Sequence, residues 1–153
     1  MVKLYKDVLD NRQTEIIEEI MLISKEFPWY FARHNLYPDN QENHASDCFN
    51  FTHNFFVNGQ PSSDFCYFVE PIVEYIKQQY NNIESILRIK ANLYTNQHMN
   101  VEYDEHIDQI HLGEKECLIG LFNVTSCNGG TVVNKRKYPS VSNQFLIMFR
   151  IME

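Results

Sequence analysis

Apolar residues near the start of the chain recur at three- and four-residue spacing. Ile16, Ile17, Ile20 and Met21, with Ser24 or Phe27, share one face, and Glu15, Glu18, Glu19 and Lys25 fall outside it. This pattern predicts a helix from about Asp10 to Phe27, stopped by Pro28. The aromatic run Phe27-Pro28-Trp29-Tyr30-Phe31 follows and is expected to pack on the core. From Asn35 to Pro61 the chain is rich in Asn, Asp, Gln, Pro and Gly, which predicts loops around a short Phe49, Phe51, Phe55 and Phe56 patch, suited to a lid or substrate loop. Helical spacing returns from about Ser63 to Tyr80. Phe65, Phe68, Val69, Ile72, Tyr75 and Ile76 make its buried stripe, and Pro71 inside it predicts a kink or a new start.

From Ile83 the period changes. Ile86 to Tyr94 alternates as a half-buried strand does. Val101-Glu102-Tyr103 is extended, and Glu116 to Val124 is a strongly apolar strand. Cys127-Asn128-Gly129-Gly130 reads as a turn before Thr131-Val132-Val133. Tyr138-Pro139-Ser140-Val141 then leads into a final strand, Asn143 to Phe149. Helices followed by a run of strands with tight turns predict an α+β fold with a sandwich or barrel of sheets.

A length of 153 residues suits one domain, with no internal repeat or linker. Phe and Tyr dominate an aromatic content of 14%, which favours strands over a purely helical bundle. A net charge of -7 disfavours a broad grip on nucleic-acid phosphates. The one tight basic cluster, Lys135-Arg136-Lys137, reads as a solvated turn. The start of the chain has no apolar leader and no stretch is long enough for a membrane helix, so the expectation is a cytoplasmic protein that makes no membrane contact. Cys48, Cys66, Cys117 and Cys127 are scattered without a Cys-x-x-Cys pair and read as reduced thiols.

The candidate chemistry lies in His106-Ile107-Asp108. A His and a carboxylate two positions apart on extended backbone point to the same side, because strand side chains repeat every two residues. They make a two-toothed clamp for a borderline cation such as Fe(II), as in the 2-His-1-carboxylate triad. His98 and His111 flank the clamp and read as solvated loop residues. Glu102 and Glu105 read as solvent-facing, and Arg88 and Lys90 as strand charges that aid solubility. His34, His44 and His53 show no ligand spacing.

Several features occur in a fixed order: Phe27-Pro28-Trp29-Tyr30, Arg88 to Tyr94, the clamp, an apolar strand, Asn128-Gly129-Gly130-Thr131, and Asn143-Gln144-Phe145-Leu146-Ile147. Taken together they resemble a 2-oxoglutarate/Fe(II)-dependent dioxygenase of the prolyl-4-hydroxylase-like type, most closely the small phage and marine-bacterial versions. The resemblance spans roughly residues 16 to 149. It implies a double-stranded β-helix, or jelly roll, with supporting N-terminal helices and residues 1–153 as a single oxygenase-like domain. It implies that His106 and Asp108 are the proximal iron ligands and that Tyr94 lies beside 2-oxoglutarate. The implied cofactors are Fe(II) and 2-oxoglutarate as cosubstrate, with ascorbate as an optional reductant. The implied substrate is a protein side chain or a small amino-acid-like molecule. Gly129 and Gly130 match the turn that opens the next strand.

The family also has a distal His and, after it, an Arg or Lys for the far carboxylate of 2-oxoglutarate. The last His here is His111, and the chain closes on Phe149-Arg150-Ile151-Met152-Glu153. The expectation is therefore a domain incomplete at its C-terminus, from a frameshift or split gene, with its last strand exposed at a bare sheet edge and prone to self-association. Two readings follow. One is an oxygenase with two of three iron ligands. The other is a non-catalytic jelly-roll binding or structural protein, a remnant of such an enzyme. A nucleic-acid dealkylase of the same superfamily is disfavoured by the acidic charge.

Overall fold

In this computed structural model the described residues are 2–33, 49–96, 98 and 117–150. In chain order they form β1 (Val2–Lys6), α1 (Asn11–Glu18), β2 (Tyr30–Arg33), β3 (Phe49–Val57), β4 (Gln60–Pro61), α2 (Glu70–Gln79), β5 (Arg88–Leu93), β6 (Cys117–Asn123), β7 (Gly130–Val133), β8 (Arg136–Pro139) and β9 (Gln144–Arg150). A π turn, Glu19–Ile23, follows α1, and a 3-10 helix, Asp64–Val69, precedes α2. The fold is α+β and every strand pairing is antiparallel. The chain divides into two compact units, Met1–Leu22 with Glu105–Glu153, and Ile23–Asp104.

In the first unit β9 is the central strand of a three-stranded sheet, with β1 on one side and β6 on the other. Val2 stands opposite Met148, and Cys117 opposite Arg150. Phe145, Leu146 and Ile147 are consecutive and all at most 2% exposed, so both faces of β9 are covered. Each such side chain contributes about 1.5–3 kcal/mol by leaving water. The expected exposed edge is therefore not found at the last described strand. The hydrophobic pattern predicts no strand at Val2–Lys6, and this is the segment that pairs with β9. β7 and β8 form a separate hairpin through Asn134 and Lys135, both at positive φ, as a tight two-residue turn requires.

Asp10 caps α1. Its side chain accepts from the Gln13 N–H at 2.8 Å while the Gln13 side chain accepts from the Asp10 N–H, so two otherwise orphaned donors are satisfied. The helix is shorter than its periodicity predicts. It passes into the π turn and ends at Ile23, well before Pro28. Ile17 and Met21 are buried and Ile16 is exposed; the wider π turn rotates the residues after it off the original stripe, and Ser24 is exposed.

The second unit is built on β3, read from the sequence as loop. β5 pairs along one edge, and β2 and β4 take opposite ends of the other. Asn58 and Gly59, both at positive φ, close the two-residue β3–β4 turn. The register against β5 shifts between Asn54 and Phe56, leaving Phe55 as an extra residue. Its carbonyl accepts from the Ser62 N–H at 2.9 Å and the Cys66 thiol at 2.6 Å, so the gap between β2 and β4 is closed by the chain that follows β4. Phe27, Phe55 and Phe68 are buried around this point, with Phe27 at the centre of ring contacts to Trp29, Phe55, Phe65 and Phe68. Tyr30 and Phe31, expected in the core, are each 60% exposed because they lie on the short strand β2. Pro71 does mark a new start. It occupies the first turn of α2, where its missing N–H costs nothing.

Candidate functional site

Within the second unit a cavity of about 710 Å³ is lined by several polar side chains. Its walls include Pro28, Tyr30, His53, Ser63, Asp64 and Phe65. β3 supplies His53. The β3–β4 turn reverses the chain, and Ser63 then arrives opposite His53 at the start of the 3-10 helix.

His53 is only 3% exposed, yet both ring nitrogens have partners. Nδ1 lies 2.8 Å from the Pro28 carbonyl oxygen and Nε2 lies 2.8 Å from Ser63 Oγ. A carbonyl oxygen only accepts, so Nδ1 carries the hydrogen. In the neutral ring Nε2 is then left as an acceptor, and the Ser63 hydroxyl donates to it. Ser63 Oγ also accepts from the Phe65 N–H at 3.1 Å, capping the 3-10 helix. Phe27, Phe55, Phe65 and Tyr30 surround the imidazole, with ring centroids 4.5, 4.7, 6.0 and 6.2 Å away. The Tyr30 ring is nearly parallel to the imidazole, at 24°.

Packing and hydrogen bonds thus fix the ring plane, its tautomer and the direction of the Nε2 lone pair, which points at Ser63 Oγ. Sequence reasoning set His53 aside for want of metal-ligand spacing and did not single out Ser63 at all. The available signal was Asn58-Gly59, a hairpin dipeptide that folds the two residues toward each other.

His106 and Asp108 lie outside the described residues, as do Glu102, Glu105 and His111. Tyr94 stands one residue beyond β5 with 51% of its surface exposed. Arg88 and Lys90 are exposed on β5, and His98 is exposed. Gly130 opens β7 as expected, and the basic cluster is exposed, with Lys135 in the β7–β8 turn and Arg136 and Lys137 at the start of β8, Arg136 lying over the Tyr138 ring at 5.2 Å. Cys66, Cys117 and Cys127 are free thiols, and Cys48 lies outside the described residues. Among the described residues no group of three or more His, Cys, Asp or Glu is placed to hold a metal ion, and no helix is long and apolar enough to cross a membrane.

No protein-family model matches the chain, and no curated protein or solved structure matches it.

Proposed function

We propose that this chain is a 2-oxoglutarate/Fe(II)-dependent dioxygenase-like protein of the prolyl-4-hydroxylase-like type, acting on a protein side chain or a small amino-acid-like molecule. In this reading residues 1–153 make a single domain of the double-stranded β-helix kind. The observation that carries the reading is the clamp His106-Ile107-Asp108, placed between β5 and β6 in sequence. An imidazole nitrogen and a carboxylate oxygen are the donor types that suit Fe(II). The antiparallel strands that follow the clamp, with β9 at the centre of its sheet, agree with the jelly-roll reading at the level of an α+β fold.

Iron with 2-oxoglutarate supplies, when bound, the oxidising power to hydroxylate a C–H bond. The chain's own contribution is binding and orientation. His106 and Asp108 hold one side of the metal. Tyr94, at the end of β5, offers a phenol to 2-oxoglutarate.

Anaerobic calorimetric titration with Fe(II), followed by 2-oxoglutarate, tests the reading. Wild type binds both, His106→Ala and Asp108→Ala each bind Fe(II) at least roughly tenfold more weakly, a difference of about 1.4 kcal/mol, and Tyr94→Phe weakens only 2-oxoglutarate. A folded wild type that takes up neither would sink the oxygenase reading and leave the non-catalytic binding or structural protein.

A further inference from the structure

We propose that Ser63 and His53 form a nucleophilic pair that carries out acyl transfer from small uncharged or cationic esters bound in the 710 Å³ cavity. This second activity does not rest on the iron reading.

The geometry has the parts that activation of a serine needs. The Ser63 Oγ to His53 Nε2 distance of 2.8 Å is within reach for proton transfer. The other ring nitrogen is tied at 2.8 Å to a group that can only accept, the Pro28 carbonyl. This third partner holds the tautomer in which Nε2 is the base, the role an orienting residue plays in nucleophile–base–orienter arrangements. The Pro28 carbonyl can also accept from the imidazolium that forms when Nε2 takes the serine proton. The base is buried, so bulk water does not compete for its lone pair, while Ser63 is half-buried at the wall of the cavity.

The lining sets the substrate class. Tyr30, Pro28, Val57, Pro61 and Phe65 present apolar surface to an acyl chain or aryl group. Asp64, exposed beside Ser63, disfavours anionic substrates and tolerates cationic ones.

The step balances with water as the only co-reactant. Ser63 Oγ bonds to the ester carbonyl carbon as its proton passes to His53 Nε2. The carbon–oxygen bond to the alcohol breaks, and the alcohol leaves with that proton. Water then attacks the acyl-serine, giving one proton to Nε2. The bond between the acyl carbon and Ser63 Oγ then breaks, the acid departs, and Nε2 returns the proton to Ser63 Oγ.

The test uses the whole chain, an aryl fluorophosphonate probe and p-nitrophenyl butyrate. The fluorophosphonate should phosphonylate Ser63, with loss of fluoride, and peptide mass spectrometry should place the adduct there. Ester hydrolysis should fall at least tenfold in Ser63→Ala. Ser63→Asn keeps a side chain suited to capping the 3-10 helix but removes the nucleophile. It should melt close to wild type and neither label nor turn over, while Ser62→Ala labels as wild type does. Folded wild type without an adduct on Ser63 overturns the proposal, whatever the stability of the variants. So does hydrolysis that persists unchanged in Ser63→Asn.

Discussion

The ring of Phe145 on β9 lies over Gly120 on β6, in the space a Cβ at position 120 would need. Gly120 stands opposite Ile147, so Phe145 reaches it diagonally across the strand pair. With Phe145 at 2% exposure, the ring has little room to retreat. Gly120→Ala is therefore expected to destabilise the protein by about 1–3 kcal/mol through overpacking. Urea unfolding should show the loss as a lower midpoint with an unchanged slope. The pair Gly120→Ala with Phe145→Leu should cost less than the sum of the two single changes. Strict additivity in that cycle would mean that the ring and the missing Cβ are not competing for the same space.

Asn143 joins three segments of the first unit. Its Oδ1 accepts from the Leu9 N–H at 2.9 Å, its Nδ2 donates to the Leu9 carbonyl at 2.8 Å, and its own N–H donates to the Asn123 carbonyl at 2.9 Å. Its φ of 58° lies in the left-handed region, which Asn tolerates better than most residues. Asn143→Ala loses both side-chain bonds and keeps an unfavourable φ, so a loss of about 2–4 kcal/mol is expected. Asn143→Gly relieves the backbone and should recover about 1 kcal/mol of that. Thermal melts of the two variants separate bonding from backbone. Equal losses would contradict the assignment of a backbone component.

Lys135 sits at the second position of the β7–β8 turn with φ 64°, a conformation that suits Gly and costs Lys. Lys135→Gly should raise stability by about 0.5–1 kcal/mol. The same change removes one charge of the basic turn, so melts at low and high salt should be compared. A gain present at both salts belongs to the backbone, and a gain that vanishes at high salt belongs to charge.

Legibility followed the strength of the local pattern. Arg88 to Leu93 alternates between exposed and half-buried residues as its sequence suggests, and the strands at Cys117–Asn123 and Gln144–Arg150 sit where apolar runs placed them. β3 escaped notice because Asn50, Thr52, His53 and Asn54 read as loop residues. They are tolerated because β2 and β5 satisfy the backbone, Asn50 donates to Asn92 and His53 is bonded at both nitrogens. β1 escaped because five residues with two lysines carry almost no periodic signal, and its partner lies at the far end of the chain. Asn143, read as the first residue of the last strand, is a turn residue, since its side chain competes for backbone partners. The His53–Ser63 pair was illegible for a related reason. Proximity in space came from a hairpin that was itself hidden in an assumed loop.

The sheet built on β9 also fixes an order in time. Ribosomes release a chain in order from its N-terminal side, so Val2–Lys6 emerges well before its partner in the register, Gln144–Met148. Residues Ile23–Asp104 form a contiguous unit that can collapse while synthesis continues. β1 has no partner strand until β9 appears, and the pairing then closes the long loop between Lys6 and Gln144. A newborn molecule can thus organise Ile23–Asp104 before Val2–Lys6 has a strand to join.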